Sequence, residues 1–132
     1  MSWAVLLSAL MAVETGGCAE PLTARGDYWD GEYLSVGCLQ IQEAVIEDVN
    51  RVYETNFIAK DRESQGASFR IAQLYLSHWG KVYERKTGEK ATVEILARIW
   101  NGGPSAYKKT GRAKQNLDKY WSKVQKELRN AS

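Results

Sequence analysis

Several things are scarce in this 132-residue chain. It has one histidine, His78, and two cysteines, Cys18 and Cys38, too few for a structural zinc site of four His/Cys ligands without carboxylates. Two prolines leave no proline-rich linker, and no internal repeat or low-complexity stretch occurs. With 44% hydrophobic and 26% charged residues, collagen-like, low-complexity and wholly disordered classes are excluded. The apolar run Trp3 to Val13 is too short to span a bilayer. No Lys or Arg precedes it, Glu14-Thr15-Gly16-Gly17 is a poor cleavage site, and Thr15-Gly16-Gly17-Cys18 matches a lipoprotein box only at its Gly and Cys. The run reads as a buried core helix, apolar on nearly all sides, rather than a cleaved signal. Gly102-Gly103 lacks the Lys-Ser/Thr of a phosphate loop.

The length suits a single domain over residues 1–132 with a core of its own. Aromatics are plentiful, with 5 Trp and 7 Tyr, and suit both cores and carbohydrate-binding walls. Net charge is +2 but unevenly spread: residues 1–80 carry 5 Lys/Arg against 11 Asp/Glu, and residues 81–132 carry 13 against 5. The basic half is either a solvated helical face or a surface for an anionic partner. Lys108, Lys109, Arg112 and Lys114 read as a basic loop, with no recognition fold or aromatic platform beside it to suggest nucleic acid.

Residues 3–15 read as helix, stopped by Gly16-Gly17. Residues 16–33 read as a loop with room for a hairpin, and Tyr33 to Ile41 has strand-like content with Gly37 as a bulge or close approach. Apolar residues then recur at helical spacing over Glu43 to Glu54, Ser64 to Trp79, Ala91 to Trp100 and about Asn116 to Leu128. Trp79 and Trp121 fall at core positions, and His78 reads as structural or surface. Cys18 and Cys38 either bridge, in an oxidising compartment, or stay as two core thiols.

Glu14 stands where the apolar run ends, so a helix surfaces there. Partial desolvation disfavours a carboxylate, which raises its pKa and makes a neutral proton donor, while the glycines leave room for a ligand. The same position also suits a helix-end salt bridge. Asp27, Asp30 and Glu32 form an acid-rich loop. Glycoside hydrolysis uses two carboxyl groups across the scissile bond, and Asp27, 13 residues beyond Glu14, could face it; turn chemistry alone also favours Asp and Gly there. Trp29, Tyr33 and Trp100 could stack on sugar rings or sit in the core.

Four motifs, in order, cover roughly residues 5–125: Val13-Glu14-Thr15-Gly16-Gly17 with Gly26-Asp27; Gly37-Cys38-Leu39-Gln40-Ile41; Ala97-Arg98-Ile99-Trp100-Asn101-Gly102-Gly103-Pro104; and Tyr120-Trp121-Ser122-Lys123-Val124. This set resembles the lysozyme-like lytic transglycosylase and goose-type lysozyme superfamily. The resemblance implies a mainly α (α+β) fold, a helical lobe with a small β-hairpin region flanking a substrate cleft. It assigns Glu14 as the catalytic acid, Asp27 as the residue that positions water, and Gln40, Asn101, Tyr120, Trp100 and Thr15 as substrate-binding. Thr15 stands where that family carries Ser, Trp100 where it carries Tyr, and Gln42 where the goose-type branch has a further Asp.

The activity implied is cleavage of the β-1,4 bond between N-acetylmuramic acid and N-acetylglucosamine, at the cell wall, by hydrolysis or by transglycosylation to a 1,6-anhydro end. Neither route needs a metal or organic cofactor. The expected partner is peptidoglycan glycan strands, met by a monomer with no nucleic acid and no membrane span; a compact phage-type lysin fits that description. The rival reading is a non-catalytic glycan-binding module on the same fold, which would tolerate Gln at position 14.

Overall fold

Glycines and short polar breaks divide the apolar faces of the chain into separate helices. The computed structural model describes residues 2–18, 28–29, 32–33 and 35–131. Among these, the α-helices are α1 (Trp3–Thr15), α2 (Glu43–Tyr53), α3 (Gln65–Thr87), α4 (Val93–Gly102) and α5 (Gly111–Asn130). Short 3-10 turns lie at Ala59–Glu63 and Ala106–Lys108. Two strands of two residues, β1 (Tyr28–Trp29) and β2 (Glu32–Tyr33), pair antiparallel with Tyr28 opposite Tyr33 and Trp29 opposite Glu32. The fold is mainly α, as expected. No helix among the described residues is long and apolar enough to cross a membrane.

The boundaries correct the sequence reading in four places. Tyr33 to Ile41 is not one strand: only Val36 and Ile41 bridge, across a tight turn. Glycine and a left-handed Gln40 bend the segment, overriding its β-prone composition. Helix α3 continues eight residues past Trp79, because Lys81 to Lys86 offers good helix formers until Gly88 turns left-handed at φ +73°. Helix α5 begins at Gly111, so Arg112 and Lys114 belong to a helix and not to a basic loop. Helix α1 is apolar in composition, yet only Leu6, Leu7, Ala9 and Leu10 are buried while Ala4, Val5 and Ser8 are exposed.

The chain forms two compact units, one continuous (Leu10–Tyr75) and one assembled from Met1–Ala9 with Leu76–Ser132. In the continuous unit the buried side chains include Leu10, Leu39, Ile41, Val49 and Ile71. Asn50 organises the chain leaving α2. Its Oδ1 accepts from the Thr55 hydroxyl and the Phe57 N–H, and its Nδ2 donates to the Phe57 carbonyl, at 2.8–3.0 Å. In the assembled unit α4 packs on α5 and on the 3-10 turn that follows it. Thr92 caps α4, its hydroxyl accepting from the Ile95 N–H. Leu76, Ala97, Ile99, Leu117, Tyr120 and Val124 are buried; Trp79 and Trp121, expected in the core, are half-buried.

Tyr75 on α3 is 7% exposed. Burial, aided by the Asp48 carboxylate, pushes its phenol up to about 12 from the usual 10.0. Folding thus favours the neutral phenol. The stabilisation is intact below pH about 10 and is lost as pH rises toward about 12, a decline of about 2 to 3 kcal/mol. Tyr75→Phe removes this alkaline decline, which urea midpoints taken at about pH 8 and pH 11.5 measure.

Candidate functional site

The end of α1 carries Glu14, half-buried, and Thr15, the last helical residue. The Thr15 hydroxyl lies 2.9 Å from the Cys38 carbonyl and 3.2 Å from its own helix's Met11 carbonyl. With one proton to donate, its better partner is the nearer oxygen, 23 residues away in sequence. Gly16 and Gly17 then take φ of +69° and +105°, which glycine adopts at little cost, and turn the chain sharply. Cys18 and Cys38 form a disulfide with Cα atoms 4.9 Å apart, ordinary spacing for such a bridge. Closing a loop of this length stabilises by about 3 kcal/mol in the chain-entropy account. A hydroxyl and a disulfide therefore tie the Glu14 end of α1 to Cys38.

Cys38 lies in the turn that carries Gln40. Val36 and Ile41 exchange backbone hydrogen bonds of 3.2 and 3.0 Å, and the Gln40 N–H donates to the Gly37 carbonyl at 3.1 Å. The Gln40 side chain folds back, its Nε2 donating to the same Gly37 oxygen at 2.9 Å. Gln40 thus holds its own turn, with φ +53°, as well as standing at a position expected to line a cleft.

The turn rests on Arg62, a residue the sequence reading passed over. Arg62 is buried; its Nε donates to the Ala59 carbonyl at 2.9 Å and its Nη1 to the Ile41 carbonyl at 3.1 Å. The exposed Glu43 carboxylate, 3.9 Å from Nη2, adds little by comparison. The Arg62 carbonyl accepts the hydroxyl proton of fully buried Ser68 at 2.9 Å and faces Gly37. Only a residue without Cβ fits there.

The remaining expected residues belong to the assembled unit. Trp100 is half-buried and Asn101 exposed at the end of α4, and Tyr120 is buried on α5. Gly102 has a packing reason: a Cβ there would lie 2.8 Å from Leu117 Cδ2. Gly103 takes φ +88° while its N–H donates to the Ile99 carbonyl at 2.8 Å. Within the continuous unit the structure brings together Thr15 and the turn of Gln40. Asp27 lies outside the described residues, as do Asp30 and the side chains of Trp29, Glu32 and Tyr33.

A charge network also escaped the sequence. Arg98 holds Glu94 (Nε to Oε2, 2.9 Å) and Asp118 (Nη1 to Oδ1, 2.9 Å), and Lys114 lies 3.5 Å from Asp118. The Arg98 hydrogen bond, with Lys114 behind it, holds the Asp118 carboxyl below its ordinary range. The i,i+4 pairs Glu94–Arg98 and Lys114–Asp118 are readable from spacing, but the link between α4 and α5 is not. Beside this network is an open pocket of about 560 Å³, walled in part by Tyr83 and Tyr107, whose rings meet edge to face at 5.1 Å. None of the expected site residues lines it.

No protein-family model matches the chain, and no curated protein matches it.

Gly37→Ala would force a left-handed φ on alanine and drive its Cβ into the Arg62 carbonyl, at a cost of about 3 kcal/mol or more. Gly66→Ala, in open space on α3, should be neutral or stabilising by up to about 1 kcal/mol. Denaturant midpoints of the two variants compare them directly.

Proposed function

We propose that the chain is a peptidoglycan-cleaving muramidase of the lysozyme-like, lytic-transglycosylase type, with Glu14 as general acid and base. The observation that carries this reading is the tie between the two leading motifs. The Thr15 hydroxyl on the Cys38 carbonyl, together with the Cys18–Cys38 disulfide, joins the helix end bearing Glu14 to the Gly37–Gln40 turn. The resemblance needs those two segments side by side, and Thr15 keeps the hydroxyl of the family's Ser. The mainly α architecture, with four helices beyond α1, is in keeping with this reading.

In this reading a muramic acid–glucosamine bond lies against the α1 end. The Glu14 carboxyl gives its proton to the glycosidic oxygen as the C–O bond breaks, leaving positive charge shared between the anomeric carbon and the ring oxygen. The resulting Glu14 carboxylate then takes a proton. If the proton comes from water held by Asp27, the product is a reducing sugar; if it comes from the muramic acid C6 hydroxyl, the product is a 1,6-anhydro end. The second route uses Glu14 alone, and we favour it, with hydrolysis as the competing outcome. The disulfide fits work at the cell wall, since such bonds persist in oxidising surroundings.

Glu14→Gln keeps the shape but has no proton to give, so wall lysis should fall by about 10²–10⁴-fold while glycan binding persists. Asp27→Asn should leave anhydro product intact if Glu14 acts alone, and abolish reducing ends if Asp27 holds the water. Turbidity of wall suspensions and product masses report both. Full lysis by Glu14→Gln would leave the glycan-binding module as the better account.

A further inference from the structure

Helix α5 separates its charges from its core contacts. Leu117, Tyr120 and Val124 are buried on one side. Arg112, Lys119, Lys123 and Lys126 are all exposed. At 3.6 residues per turn these four fall within an arc of about 60°, centred roughly 120° around the helix from the buried side, along about 21 Å of helix. None of the four forms an ion pair among the described residues. Of the two acids on α5, Asp118 is held by Arg98 and Lys114, and Glu127, one helical turn beyond Lys123, forms no ion pair with it among the described residues. Four like charges in a row repel one another, which disfavours the free state and favours any partner that neutralises them.

We propose that this stripe is a docking surface for a linear phosphodiester-linked cell-wall polymer. Three observations choose that occupant. The cations form a line rather than a broad patch, matching a strand rather than a plane. Basic helices that bind membranes insert their apolar face, but that face of α5 is buried within the protein. Single-stranded nucleic acid calls for exposed aromatic rings beside the cations, whereas Tyr120 is buried and Trp121 is half-buried on the far side. A phosphodiester polymer without bases needs neither insertion nor stacking. The choice of a wall polymer rests on the muramidase reading; the polyanion-binding stripe itself does not.

The test uses the full chain and purified poly(glycerol phosphate), with an oligo-dT of equal phosphate number and phosphatidylglycerol vesicles as competitors. The polymer should bind with an affinity that falls steeply with salt. Changing Arg112, Lys119, Lys123 and Lys126 together to Gln should lower the log–log salt slope by roughly 3, at about 0.7 per phosphate contact. At low salt binding should weaken about a hundredfold or more. Lys123→Gln alone should lower the slope by about 0.7, which keeps the test sound if the fourfold variant folds poorly. A control with Lys81, Arg85, Lys86 and Lys90 changed to Gln has the same net charge and should bind as the parent does. Equal loss in that control, tighter binding of oligo-dT or vesicles, or no salt-dependent binding would overturn the proposal. Glu14→Gln should bind the polymer normally. Stripe-dependent binding by a protein without lytic activity would remove only the muramidase reading, and lysis with stripe-independent binding would remove only this one.

Discussion

The contact on which the continuous unit turns is the approach of Gly37 to the carbonyl of Arg62. Arg62 is a buried cation, costly unless its donors are satisfied, and the backbone carbonyls of Ala59 and Ile41 satisfy them. Meeting that requirement sets where Ile41 sits and therefore where the turn from Val36 closes. Gly37 must then lie flat on the Arg62 carbonyl, whose other side takes the Ser68 hydroxyl. From this platform Cys38 reaches Cys18 and Thr15, so the end of α1 depends on a buried guanidinium in a different part of the chain.

The assembled unit depends on charge in another way. Its cations outnumber its acids, and two of its five acids, Glu94 and Asp118, pair with Arg98. Arg98 joins α4 to α5 through Asp118, and Lys114 shares that carboxylate. Holding Glu94 and Asp118 between the two helices joins them but leaves Arg112, Lys119, Lys123 and Lys126 without an ion-pair partner among the described residues. The stripe is thus the counterpart of a partly exposed ion network between two helices.

Both features bear on the proposed chemistry. A general acid must be held still relative to its substrate, because small displacements weaken proton transfer in the transition state. Glu14 lies at a helix terminus, where backbone order ordinarily frays. A disulfide three residues from the helix end and a hydroxyl tie one residue from Glu14 counter that tendency. A basic face suits a different need, the proposed docking of an extended polyanion, and its weakness per contact is offset by number and by long reach.

Helix positions are legible in the sequence because 3.6-residue periodicity and glycine stops are local signals: they give α1 to its limits and α2 and α4 to within about two residues, while α3 runs eight residues further and α5 starts five residues earlier than the pattern indicates. Glu14 stood out for a local reason too, a lone carboxyl ending an apolar run. The strand read over Tyr33 to Ile41 failed because composition records side-chain preference, whereas the turn there is imposed by Gly37 meeting Arg62, 25 residues away. The cysteine pairing is equally undecided by spacing, since a separation of 20 positions permits a bridge or two thiols; the turn at Gly37–Gln40 decides it by bringing the Cα atoms to 4.9 Å. Sequence alone determined the number and order of the helices, the charge asymmetry and the order of the motifs. Tertiary structure decided which distant groups meet, because a buried charge is satisfied only by whatever carbonyls the folded chain places around it.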